Sequence, residues 1–81
     1  MDSPFYFEGT IYWSEGDERA HFEWMQRIPC VRDVRGEGTR VFLTIDEEAV
    51  TADDARELDA LYRRYGGDKA QLVRLNGKKN A

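Results

Sequence analysis

A single cysteine, Cys30, cannot close a disulfide within the chain, and a lone thiol agrees with a reducing compartment. A single histidine, His21, cannot serve both a nucleophilic triad and a metal set. No apolar run approaches the roughly 20 residues that span a bilayer. The opening Met1-Asp2-Ser3-Pro4 lacks the cationic and then apolar regions of a signal peptide. Repeats and low-complexity stretches are missing too. The expected location is therefore the cytoplasm, with no membrane partner. Basic residues are in the minority, 12 against 16 acidic, which leaves a net charge of −4. Nucleic-acid affinity comes largely from neutralising phosphates, so this sign argues against such a partner.

What remains describes one small folded domain. In 81 residues, 41% hydrophobic and 35% charged, there is enough apolar surface for one thin core. Residues 1–75 read as a single α+β domain, and residues 76–81 as a polar C-terminal tail.

Alternation over Phe5–Trp13 predicts a strand. Phe5, Phe7, Ile11 and Trp13 share one face, and Tyr6, Glu8, Thr10 and Tyr12 the other. From Asp17 to Ile28 the spacing of Phe22, Met25 and Ile28 predicts a helix flanked by Trp24 and stopped by Pro29. Cys30–Arg35 and Arg40–Asp46 read as a hairpin around Gly36-Glu37-Gly38. Thr51 is a natural N-cap with Asp54 at the capping-box position. The apolar stripe Ala55, Leu58, Leu61, Tyr62 and Tyr65 makes a second helix that ends at Gly66-Gly67. Ala70–Leu75 is read as a last strand.

The resulting order, β-α-β-β-α-β, predicts a split-βαβ, ferredoxin-like sandwich. Two helices would cover one face of a four-stranded, mainly antiparallel sheet, and a barstar-like strand order is the competing layout. The other face would display Tyr6, Tyr12 and Phe42.

Candidate chemistry is sparse. His21-Phe22-Glu23 with Pro29-Cys30 echoes the zinc-deaminase pattern. Asp33 stands where the second cysteine belongs, so the ligand set is one short. His21 is then expected on a helix surface and Cys30 as a small buried residue. Gly36-Glu37-Gly38 lacks the third glycine and the following helix of a dinucleotide loop. Carboxylate pairs abound, but acid–base work needs one of them buried. No catalytic residue, metal or cofactor is expected.

Charge is unevenly spread. Residues 46–59 carry seven acidic side chains against Arg56, whereas residues 60–81 carry six basic ones against Asp68. In the expected sandwich the first strand–helix connection and the third strand's connection to the second helix are taken to emerge at one end. Glu15, Asp17, Glu18, Asp46, Glu47, Glu48, Asp53 and Asp54 would gather there, with Glu57 one turn further on. Helix-dipole complementation accounts for Asp17, Glu18, Asp53 and Asp54 but does not require Asp46-Glu47-Glu48. Such a patch suits a basic protein partner, since complementary fields steer association. A nuclease cleft, cationic in order to hold phosphates, is one such surface.

Two stretches carry a family resemblance, His21-Phe22-Glu23-Trp24-Met25-Gln26-Arg27-Ile28-Pro29 and Ala55–Leu72 (ARELDALYRRYGGDKAQL). The F-x-W…I-P helix and the L-x-x-L-Y-x-R-Y-G helix end resemble immunity proteins of bacterial contact-dependent growth inhibition systems. The resemblance implies a cytoplasmic antidote that binds a toxin domain, often a nuclease, and neutralises it without catalysis. It transfers no interface residue to any position here. The alternative is a regulatory or structural module that binds a small ligand or itself.

Overall fold

Among the described residues three strands, not four, carry this fold. The computed structural model describes residues 3–75, and the tail read over 76–81 lies outside the described residues. In chain order the elements are β1 (Tyr6–Glu8), α1 (Glu15–Arg27), β2 (Val31–Glu37), β3 (Arg40–Ile45) and α2 (Ala52–Tyr65). Short 3-10 turns follow β3 at Glu47–Ala49 and α2 at Lys69–Leu72. The sheet order is β1-β3-β2, and both pairings are antiparallel.

The expected fourth strand is absent because its local chemistry is helical. Asp68 accepts a hydrogen bond from the Ala70 amide and so caps the turn. Leu72 and Leu75 are buried three residues apart while Val73 between them is exposed, a helical spacing rather than an alternating one. A side chain serves the sheet edge instead. Gln71 Oε1 accepts from the Tyr6 amide of β1 at 2.9 Å and from the Tyr62 hydroxyl at 3.0 Å. An edge N–H that a fourth strand would have taken is thereby satisfied.

The first strand is also shorter than expected. It ends at Glu8, and Gly9 follows with φ at 62°, a left-handed conformation that glycine adopts without penalty. Gly9 donates to the Thr39 carbonyl at 2.7 Å, and the chain then runs toward α1 with its alternation inverted. Tyr12 now packs against the core, while Ile11 and Trp13 stand in solvent, 81% and 86% exposed. The expected placement of Ile11 and Trp13 beside Phe5 and Phe7, and of Tyr12 on the open face, is therefore reversed.

The core lies between one sheet face and the two α-helices. Phe5, Phe7, Leu43, Ile45 and Val31 meet Met25 of α1, Ile28 just past its end, and Leu58, Leu61, Tyr62 and Tyr65 of α2. Ser14 caps α1, whose buried positions are His21 and Met25, with Phe22 only half-buried. Thr51 and Asp54 form a reciprocal capping box on α2, and Gly66 closes that helix at φ 77°. Tyr6 and Phe42 lie on the face away from the helices with ring centroids 5.5 Å apart.

Candidate functional site: an acid-rimmed groove between the helices

Strand direction decides where the carboxylates go. Because β1 and β3 are antiparallel, their C-terminal ends point opposite ways, and the two connections leave from opposite ends of the sheet. The expected single acidic end is therefore divided. Glu15, Asp17 and Glu18 begin α1 beside the C-terminal end of α2, where Asp17 Oδ1 accepts from the Tyr65 hydroxyl at 3.2 Å and faces Arg64 at 3.5 Å. Asp46, Glu47, Glu48, Asp53, Asp54 and Glu57 occupy the other end.

Within that second group the carboxylates differ in availability. Asp46 pairs with Arg32 at 3.1 Å and Glu47 with Arg74 at 3.0 Å. Asp53 is exposed and pairs with Arg56 one turn along. Asp54 is only 4% exposed; it closes the capping box, and its carboxylate helps to keep the Cys30 thiol protonated. Its carboxylate holds the helix cap at the edge of the groove between the helices, which it also lines. Glu48 and Glu57 are exposed.

A groove of about 660 Å³ runs between the two helices at this end. Trp24, Ile28, Pro29 and Tyr65 supply apolar lining, Thr51, Asp53, Asp54 and Glu57 supply polar groups, and Arg27 is the one cation among the lining residues. Trp24 crosses from α1 to donate its indole N–H to Glu57 Oε1 at 2.8 Å, which ties the groove's main aromatic wall to its acidic wall. The sequence pattern showed Trp24 only as a flank of the helix stripe. Its pairing with Glu57 is a contact across 33 residues that no local spacing reveals.

The two groups singled out for metal chemistry are sealed. His21 has no exposed surface, contrary to its expected place on a helix surface. Its ring stacks on Tyr65 at 3.9 Å and meets Phe7 edge-on at 4.6 Å, and Nδ1 lies 2.7 Å from the Tyr12 hydroxyl. Burial pushes the imidazole down to about 4, well below its ordinary value. The same enclosure raises the Tyr12 phenol to about 12, with Glu18 nearby adding to the effect. Cys30 is fully buried, and burial with the Asp54 carboxylate pushes its thiol up to about 12. A thiol held protonated in this way is a poor nucleophile and a poor ligand. Among the described residues no three His, Cys, Asp or Glu side chains are grouped to hold a metal ion.

No protein-family model matches the chain, and no curated protein or solved structure matches it significantly. Among the described residues, no helix is long and apolar enough to cross a membrane.

Proposed function

We propose that this chain is a cytoplasmic, non-enzymatic inhibitor of the immunity type, which binds a toxin domain and covers its basic cleft. One observation carries the reading: an apolar groove between two helices, walled by Trp24 and rimmed by the exposed carboxylates of Asp53 and Glu57. Interfaces draw their affinity from a few aromatic positions that lose water, and their association rate and partner choice from surrounding charge. The groove supplies both at one place. A lysine or arginine of the partner enters along the Trp24 ring toward Glu57, as a phosphate-binding cleft would present it.

Catalysis by this chain is disfavoured by where its reactive groups lie. The strongly shifted imidazole of His21 and the thiol of Cys30 are both buried, so neither reaches a substrate. A second reading, a module that binds a small ligand, draws on the same groove, whose volume is in the range of small-molecule sites.

The test begins with the reading frames beside this gene. A neighbouring toxin domain should co-purify with the chain and lose activity in its presence. Reversing Glu48, Asp53 and Glu57 together to Lys should slow association by about tenfold or more, while reversing Arg63, Arg64 and Lys69 should change it little. Asp54 is left intact because its buried carboxylate holds the helix cap. Equal binding by the acidic reversal, or an active toxin in the complex, would reject the reading.

A further inference from the structure

Ile11 and Trp13 are 81% and 86% exposed, far beyond what most large apolar side chains of this domain show. They stand two residues apart on the segment between β1 and α1, at the end of the molecule away from the acid-rimmed groove. Exposure of this kind in a mobile loop would mean little, but this segment is tied at three points. The Gly9 amide donates to Thr39 O at 2.7 Å, the Tyr12 hydroxyl is held by His21, and the Trp13 amide donates to Asp17 Oδ2 at 3.1 Å. Ser14 then caps α1. With Tyr12 drawn inward, the residues on either side of it are held outward. Binding through them costs little further ordering.

The charge beside them selects the occupant. Glu15 and Glu18, both exposed, follow in the first turn of α1, and with Arg19 and Phe22 they line a shallow hollow of about 450 Å³. Asp17 is turned inward to Tyr65 and Arg64. An exposed indole face next to two carboxylates favours a guanidinium or ammonium group, which stacks on the ring and pairs with the acid. Ile11 adds an aliphatic contact. A second copy fits less well, because a two-fold contact centred on Trp13 brings both copies' Glu15 and Glu18 together with Arg19 alone in the hollow to offset them, in a chain with net charge −4.

We infer that Ile11 and Trp13, with Glu15 and Glu18, form a second docking surface, one that receives a basic, partly aliphatic segment of a partner protein. This surface is separate from the groove and does not depend on the partner being a toxin.

The probe is a capped Arg-Leu-Arg-Leu-Arg peptide titrated into the ¹⁵N-labelled full chain, with a Glu-Leu-Glu-Leu-Glu peptide as control. The Trp13 indole N–H and the amides of residues 11–18 should shift saturably with the basic peptide and not with the acidic one. The Trp24 indole reports the groove independently. Trp13→Ala should weaken the interaction by about tenfold or more, and Ile11→Ser by less, with both spectra remaining those of the folded protein. Raising salt from about 20 to 200 mM should weaken it further, as screening shortens the reach of the carboxylates. Shifts confined to Trp24 and residues 51–57, an equal response to the acidic peptide, or undiminished binding by Trp13→Ala would each overturn the inference. So would concentration-dependent shifts at Trp13 without peptide, matched by a dimer in sedimentation, since a second copy would then occupy the surface.

Discussion

The Tyr12 hydroxyl meets His21 Nδ1 at 2.7 Å across nine residues, and this contact holds the segment between β1 and α1 against the helices. His21 is enclosed by Phe7, Phe22 and Tyr65 as well, and its Nε2 finds no partner among the described residues. A neutral imidazole tolerates this setting far better than a charged one.

Acid should therefore weaken the fold through His21. The folded imidazole accepts a proton only near pH 4, whereas the unfolded one accepts it near 6.5, so between these values the unfolded state holds more protons. The stabilisation is complete above about pH 6.5 and declines as pH falls toward 4, by about 3 kcal/mol in all. Urea titrations at several pH values should show it, and His21→Phe should flatten the slope between pH 6.5 and 5. Parallel curves for the two proteins would mean that the imidazole is not held neutral.

Cys30 should be inert while the protein is folded. Its thiol is buried and pushed up to about 12 by burial and by Asp54. At pH 8 a thiol reagent such as Ellman's should label it no faster than the chain unfolds, and urea should accelerate labelling to the rate of a free cysteine. Rapid labelling in native buffer would contradict the placement.

Asp53 and Asp54 are adjacent in sequence but should respond differently to truncation. Asp54→Ala removes half of the capping box and the buried partner of Cys30, and should cost about 1–2 kcal/mol. Asp53→Ala removes an exposed carboxylate paired with Arg56 and should cost less than half of that. Thermal melts at pH 7 compare them directly.

Gly67 should not accept a side chain. A Cβ there would overlap Tyr62 Cδ2 and lie 2.9 Å from Phe7 Cε2, in clash with two rings of the core. Gly67→Ala should cost about 1–3 kcal/mol. Gly36 has open space where its Cβ would sit, and Gly36→Ala should change stability by no more than about 0.5 kcal/mol.

The second α-helix was legible in the sequence because each signal that defines it is local. Thr51 with Asp54 caps it, Leu58, Leu61, Tyr62 and Tyr65 recur at helical spacing, and Gly66 supplies the left-handed stop. The β2–β3 hairpin is local in the same way, its strands joined by a two-residue turn at Gly38-Thr39. Ala70–Leu75 was read as a last strand because an apolar run with Leu72, Val73 and Leu75 suits one, whereas Asp68 caps a 3-10 turn there. The alternation read through Gly9 breaks there because that residue takes a left-handed conformation.

What the sequence alone determined, then, is where the helices and the hairpin lie, and which face of α2 is apolar. Tertiary structure decided which of two alternating sets faces inward after Gly9, because either set of aromatic residues could have been buried. The antiparallel pairing of β1 with β3 sends the two acidic connections to opposite ends, as strand direction in the expected sandwich already requires and charge counts alone do not show. His21 reads as a polar surface residue by type, yet Tyr12 and Tyr65 enclose it, since a hydrogen bond and ring stacking offset its removal from water. Contacts that span many residues set these outcomes, and their energies depend on the whole chain's arrangement, not on any window of it.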